Sequence, residues 1–222
     1  MDSIIIAIDG QASTGKSTQA KKIAKYFNYN YRDSGAYYRA ITLYLIQKNI
    51  SSDKSIPETI LNKIHIDQSF EEGSLKINLN GIDVTHKIRG FKVSSCVSKY
   101  AKKQEIRNFV YKQLRISAES SSLVIDGRDI GTVVFPKATF KFFLLADPKI
   151  RAQRRHKQIN DLSVKVESIE KEIKTRDNID STREIAPLKK ADDAILIDTT
   201  YLTIDKVVEK IVNTVNQKRT LI

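Results

Sequence analysis

Ile4-Ile5-Ile6-Ala7-Ile8-Asp9-Gly10-Gln11-Ala12-Ser13-Thr14-Gly15-Lys16-Ser17-Thr18 is the stretch that decides the fold. Its apolar opening, Ile4 to Asp9, reads as a buried parallel strand, and Lys16 to Phe27 has the spacing of an amphipathic helix. Between them stands Gly10-x-x-x-x-Gly15-Lys16-Ser17, a phosphate-binding loop in the strand-then-helix setting that its chemistry requires. Glycines let the backbone curl until successive N–H groups point at one anion, and the dipole of the helix start adds to them. Gly10, Gln11, Ala12, Ser13, Thr14, Gly15, Lys16, Ser17 and Thr18 are therefore the expected cradle for ATP. Within it Lys16 is expected on the β- and γ-phosphates, as a catalytic residue, and the Ser17 hydroxyl on Mg²⁺.

Working outward, the same βα rhythm recurs. A short strand near Tyr29–Arg32 leads into a helix running to about Gln47, with strands at Leu123–Asp126, Phe140–Leu145 and Ala194–Asp198. Helices are predicted over Val93–Ser117, Pro148–Gln158, Val164–Arg176 and Ile204–Lys218. One region breaks the rhythm: Leu75–Leu79 alternates apolar and polar, Asn80-Gly81 signals a tight turn, and Ile82–Thr85 returns. Roughly residues 60–90 thus read as a small antiparallel insertion. The fold class is α/β: a P-loop NTPase-type parallel sheet with helices on both faces, plus that insertion and a helical lid. One domain of 1–222 divides into a core (1–33, 93–148, 185–222), a nucleotide-binding insert (34–92) and a lid (149–184).

Composition narrows the setting. At 222 residues, with 41% hydrophobic and 29% charged residues, the chain can bury a proper core. The N-terminal apolar run is too short to span a membrane and lacks a signal-peptide pattern, so the expected compartment is the cytoplasm and no membrane partner is expected. Cys96 is alone, and His65, His86 and His156 have no metal-ligand spacing, which argues against a disulfide framework or a structural zinc. The net charge of +12 owes much to lysines on solvated faces, such as Lys21, Lys22 and Lys25. Arginines are more telling, because a rigid fork matches phosphate as a mobile ammonium does not.

A base-reading Asn-Lys-x-Asp, which a GTPase needs, is missing. Instead single arginines are strewn over separated segments: Arg39, Arg107, Arg128, Arg154, Arg155, Arg176 and Arg183. A kinase must hold two polyanions end to end, so it needs cations converging from several directions. Asp126 ends an apolar strand, where a carboxylate can orient Mg²⁺ through water or simply cap the next turn. Arg128 and Asp129 follow the carboxyl end of that strand, where open α/β sheets place ligands.

At these residues the chain resembles the bacterial-type cytidylate kinases, within the nucleoside monophosphate kinases. The resemblance runs nearly end to end. It rests on Ile8-Asp9-Gly10 with the phosphate loop, on Asp33-Ser34-Gly35-Ala36 with Tyr38-Arg39, and on Asp126-Gly127-Arg128-Asp129 followed by Gly131-Thr132-Val133-Val134-Phe135-Pro136. Arg151-Ala152 with Arg154-Arg155, Ala186-Pro187-Leu188, and Asp193-Ala194 with Asp198-Thr199 extend it. The resemblance implies phosphoryl transfer from ATP to CMP or dCMP, with Mg²⁺. It implies that Ser34, Arg39 and Arg128 hold the monophosphate and that Ser98, Arg107 and Asp129 read the cytosine edge. Arg176, Asp180 and Arg183 are implied as lid and sugar contacts, with Arg154 and Arg155 closing over ATP. Arg128, Arg154 and Arg155 then join Lys16 as catalytic residues.

The chemistry agrees. Cytosine offers an N4 amino donor where uracil offers O4, so a carboxylate such as Asp129 welcomes one and repels the other. No strong general base is required, because the attacking group is already a phosphate oxygen. Gln11 stands where the family usually has proline, Ser13 where a loop glycine is common, and Lys190 where proline is frequent. A nucleic-acid-binding ATPase is the rival class suggested by charge, but no aromatic–basic interleaving supports it, and no nucleic-acid partner is expected. A UMP- or AMP-preferring kinase is the rival within the class. A monomer is the default.

Overall fold

The computed structural model describes residues 3–71, 74–119, 121–159 and 163–219. In chain order the first elements are β1 (Ile5–Gly10), α1 (Lys16–Phe27), β2 (Asn30–Asp33) and α2 (Ser34–Gln47). The insert contributes α3 (Glu58–Leu61), β3 (Ile66–Glu71), β4 (Ser74–Leu79) and β5 (Ile82–Asp83). There follow α4 (Phe91–Tyr100), α5 (Gln104–Ile116), β6 (Leu123–Gly127), β7 (Phe140–Leu145), α6 (Pro148–Ile159), α7 (Val166–Thr182), β8 (Ile195–Asp198) and α8 (Ile204–Arg219).

Five strands form one parallel sheet in the order β2-β6-β1-β7-β8, flanked by helices. β1 lies in the middle, and Ile6, Ala7 and Ile8 are wholly buried, as expected of a parallel strand covered on both faces. The chain leaves β1 for one side of the sheet through β6 and β2, and for the other through β7 and β8. That reversal beside β1 creates the crevice at the strands' carboxyl ends where such sheets bind ligands. Gly10 is indispensable there: its φ is +148° and an added Cβ would lie 2.0 Å from the Leu144 carbonyl oxygen.

α1 starts at Gly15, in the left-handed region at φ 92°, and stops at Asn28, also left-handed, whose N–H closes on Ala24 and Lys25 carbonyls. α2 is capped by Asp33, whose carboxylate accepts from the Ala36 N–H at 3.0 Å. The insert is a three-stranded antiparallel sheet, β3-β4-β5. Its Asn80-Gly81 turn has φ of 51° and 81°, the two positive values that the dipeptide predicts.

Three elements differ from the sequence reading. β3 was not expected, because its inward positions are Ile66, Gln68 and Phe70, and the glutamine interrupts the apolar alternation. Gln68 is buried because it bonds the backbone of Asp33, accepting from its N–H at 3.1 Å and donating to its carbonyl at 2.8 Å. The single helix expected over 93–117 is two, α4 and α5. Neither glycine nor proline marks the break at Ala101-Lys102-Lys103; Lys103 turns extended (φ −72°, ψ 126°) and starts the second helix. Finally, α7 runs on from Arg176 to Thr182, although asparagine, aspartate, serine and threonine are poor helix formers. Packing sustains it, with Asp177 and Asp180 buried on its inner face.

Residues 149–184 hold a separate small apolar cluster of Ala152, Ile169 and Ile173 between α6 and α7. The main core runs through the sheet, α1, α2, α5, α8 and the inner side of the insert.

Candidate active site

On the donor side, the loop from Gly10 to Thr18 wraps the amino end of α1. Ser13 takes a left-handed φ of 59°, which is where a glycine would be relaxed. Lys16 is buried and folds back on its own loop, donating to the Gln11 carbonyl at 2.5 Å and lying 3.3 Å from the Thr14 hydroxyl. Burial, then the nearby Arg128 charge, hold its ammonium pKa well below the usual lysine range. An incoming triphosphate would reverse both effects by adding negative charge at the ammonium.

Ser17 and Asp126 meet across the sheet. The Ser17 hydroxyl donates to Asp126 Oδ2 at 2.8 Å, and Tyr31, fully buried on β2, donates to Oδ1 at 2.6 Å. Burial, followed by the Asp33 charge, pushes the Asp126 carboxyl up to about 6. A divalent cation between Ser17 and Asp126 would relieve that cost, and hard oxygen donors suit Mg²⁺. No cluster of three or more His, Cys, Asp or Glu able to hold a metal occurs among the described residues.

A second group of charged side chains is assembled from β2, α2, the stretch before α4, α5, the end of β6 and the end of α7. Asp33 Oδ2 holds Arg39 at 2.8 Å and faces Arg89 at 3.6 Å. Ser34 donates to the Asp126 carbonyl at 2.7 Å, and its Oγ would lie 2.5 Å from a Cβ on Gly127, so that position also admits glycine alone. Arg128 reaches Asp180 at 3.0 Å. Arg107 is 0% exposed and sandwiched between Tyr38 and Tyr111, its guanidinium 5.5 Å from each ring centroid. Asp129 Oδ1 lies 3.2 Å from Arg107 and 3.5 Å from Arg183, while Oδ2 accepts from the Tyr111 hydroxyl at 2.8 Å. Arg183 also faces Asp180 at 3.5 Å. Ser98, half-buried on α4, takes no part in this network.

These pairs satisfy charge but not every hydrogen bond. Six buried side-chain nitrogen or oxygen atoms among the described residues lack a hydrogen-bond partner, and four are guanidinium nitrogens: Nε of Arg39, Nε and Nη2 of Arg107, and Nε of Arg176. Of these, Arg107 Nη2 still lies 3.2 Å from Asp129 Oδ1 as an ion pair. Arg176 is held down to about 10, by burial first and then by Arg128, and so stays charged. Buried donors without acceptors are rare in folded proteins, and a group of them marks a place for an acceptor-rich ligand.

Of the two remaining arginines, Arg154 donates to the carbonyls of Thr199 at 2.6 Å and Thr200 at 3.1 Å, which ties α6 to the loop after β8. Thr199 in turn reaches the Thr14 carbonyl at 3.4 Å. Arg155 is half-buried and its pKa is lowered, by burial and then by the charges of Arg39 and Arg89, so it faces the acceptor arginines.

Several members of the site were not singled out by sequence reading. Tyr31, Tyr111, Gln68 and Arg89 carry no motif, and Tyr38 reads as core. Asp9 is quoted in a motif but looks like the end of a strand. Its carboxylate accepts from the N–H groups of Ile130 at 2.9 Å and Gly131 at 2.7 Å, holding the loop that bears Arg128 and Asp129; burial raises its pKa to about 7. A buried carboxylate just before the glycine of a phosphate loop was the available signal.

A five-stranded parallel sheet of this order, a phosphate loop after its central strand, and arginines converging from an insert and a helical pair define a P-loop kinase. Residues 6–217 match the family described as Cytidylate kinase. A cytidylate kinase from Clostridium tetani is 50% identical over 211 residues, covering 94% of this chain and 92% of that one. Another from Fusobacterium nucleatum is 48% identical over 213 residues, covering 94% and 95%. The chain belongs to the cytidylate kinase family. Among solved structures, an uncharacterized protein from Eubacterium ventriosum aligns with a TM-score of 0.54 at 15% identity, covering 97% of this chain and 99% of that one, which shows a shared fold.

Proposed function

We propose that this protein transfers the γ-phosphoryl group of ATP to CMP or dCMP, giving ADP and CDP or dCDP. One observation supports the reading most directly: the Nε atoms of Arg39, Arg107 and Arg176 are buried without a hydrogen-bond partner, on residues that pair with Asp33 and Asp129 or lie beside Arg128. Phosphate oxygens and the cytosine O2 and N3 acceptors are what such donors lack.

The residues then divide the work. Backbone N–H groups of the phosphate loop hold the donor, and Lys16 swings from the Gln11 carbonyl to the phosphate that leaves. Ser34, Arg39 and Arg128 bind the acceptor's phosphate; Arg128 exchanges its contact with Asp180 for it. Arg107, braced by Tyr38, Tyr111 and Asp129, meets the base edge, and Asp129 takes the N4 amino hydrogen on a remaining lone pair. Asp180 and Arg183 meet the sugar. Arg154 and Arg155 approach from α6, and closing of α6 and α7 over both nucleotides excludes the water that competes with the acceptor. Ser17, and Asp126 through water, would hold Mg²⁺, which would supply positive charge against the donor's phosphates.

A screen of the four nucleoside monophosphates with ATP and Mg²⁺, read by ADP release, tests the reading. CMP or dCMP as best acceptor supports it. Best turnover with UMP or AMP, or hydrolysis stimulated by polynucleotide, overturns it. We also place the protein in the cytoplasm as a monomer; no described helix is long and apolar enough to cross a membrane.

A further inference from the structure

Arg151 and Asp177 are absent from every role given above, yet they form one of the most buried charged pairs in the molecule, with side chains 1% and 12% exposed. A buried ion pair is a poor stabiliser by itself, because desolvation offsets its attraction, so its use is sought in its geometry. Both ends grip one residue of the phosphate loop. Asp177 Oδ1 accepts from the Ala12 N–H at 3.0 Å, and Arg151 Nη1 donates to the Ala12 carbonyl at 3.0 Å and to Asp177 Oδ2 at 2.5 Å. Arg151 Nε is fixed on the Ala146 carbonyl at 2.9 Å, at the end of β7. The pair therefore joins the phosphate loop to α6 and α7 at a single buried residue, through the two peptide groups on either side of Ala12.

α7 presents the acceptor contacts from the same turn. Arg176 is the neighbour of Asp177, and Asp180, which holds Arg128, is one turn further along. Ala12 lies beside Ser13, whose left-handed φ makes this part of the loop the part with most to gain from a new arrangement. A triphosphate that settles on the loop's other N–H groups would fix the backbone at Ala12, and that backbone would fix Asp177 and Arg151.

We propose that Arg151 and Asp177 are positioning residues that couple the two nucleotide sites, so that a donor bound on the loop sets α7 in the place from which Arg176 and Asp180 engage the acceptor. Such coupling is reciprocal and is measured as a ratio of affinities. The inference rests on the cytidylate kinase reading.

Calorimetry with CMP, alone and in the presence of a saturating non-hydrolysable ATP analogue, measures that ratio. In the wild-type protein the analogue is expected to tighten CMP by at least about 5-fold. Asp177→Ala is expected to bring the ratio to within about 2-fold of unity while CMP bound alone keeps its affinity to within about 3-fold. Because Asp177→Ala leaves a buried guanidinium unpaired and threatens folding, Asp177→Asn provides the second reading. It is nearly isosteric but offers one oxygen where Ala12 and Arg151 need two, and the ratio is expected to fall there too. A folded variant of either kind with the wild-type ratio overturns the proposal. So does a wild-type ratio of one, or a loss of CMP affinity that is the same with and without the analogue. A wild-type protein that binds no CMP at all would instead remove the substrate reading beneath it.

Discussion

The proposed donor and acceptor sites are built in opposite ways. The donor cradle is one contiguous loop, residues 10–18, whose cation is parked on its own backbone. The acceptor site gathers Asp33, Arg39, Arg89, Arg107, Arg128, Asp129, Asp180 and Arg183 from β2, α2, the insert, α5, the end of β6 and α7, and almost every cation there faces an internal carboxylate. The difference has a physical basis. Triphosphate binding can rest on backbone N–H groups, which any loop of the right curvature supplies. Recognition of one base and one sugar requires side chains fixed from several directions, and buried charges persist only when partnered. The carboxylates hold the arginines in position, and on the proposed reading the nitrogens without hydrogen-bond partners are what the substrate completes.

The largest expected effect separates the two sides outright. Lys16→Ala should lower kcat by at least ~10³, the scale of cationic contacts in phosphoryl transfer, while calorimetric CMP affinity stays within about 2-fold. Retained turnover would remove the loop lysine from the chemistry. On the acceptor side, Asp129→Ala should reduce the preference of kcat/KM for CMP over UMP by roughly 5- to 150-fold, equivalent to ~1–3 kcal/mol, with little change in KM for ATP. Unchanged discrimination would mean that Asp129 braces Arg107 and Arg183 without reading the base.

Where the two sides meet, Asp126→Asn should cost roughly 10- to 100-fold in activity, recovered in part by raising Mg²⁺. The same variant sharpens the electrostatic account. The Asp126 pKa is raised from 3.8 to about 6, so its ionisation opposes folding. Its favourable contribution is complete below the unfolded value and is lost as pH rises through the folded one. Asp126→Asn should therefore gain stability relative to wild type as urea titrations move from pH 4 to about pH 7. A pH-independent difference would show that burying the carboxylate carries no cost. The smallest effect concerns the donor loop: Ser13→Gly, by relieving a left-handed φ, should stabilise the protein by about 0.5–1 kcal/mol net of the added freedom of the unfolded chain. A lower melting temperature would mean that the Ser13 side chain matters more than its backbone.

Legibility followed the same division. β1, α1, α2, β7 and α8 were readable because each depends on local apolar period or a local cap, such as Asp33 before α2. β3 was hidden because buried Gln68 breaks the pattern for the sake of a bond to a residue 35 positions away. The break between α4 and α5 lacks any local cause; it lets the Ala101 carbonyl receive Arg107 at 3.4 Å. Arg107 itself looks in sequence like any solvated helix arginine; it counts among the scattered arginines, and only the family resemblance gives it a role on the base. Arg151 and Asp177 have no local signature of a tie to Ala12, because the residues that meet are 139 and 165 positions apart.

The amino-acid sequence alone determined the parallel α/β class, the phosphate loop and the dispersal of arginines, because strand period, glycine-dependent curvature and charge type are properties of neighbouring residues. Tertiary structure alone decided which carboxylate holds which arginine, which guanidinium nitrogens lack a hydrogen-bond partner, and that Ala12 of the phosphate loop is clasped by residues of α6 and α7. Those outcomes depend on burial and on angstrom-scale approach between distant segments, which raise the energy of every unpaired charge and so select the partners.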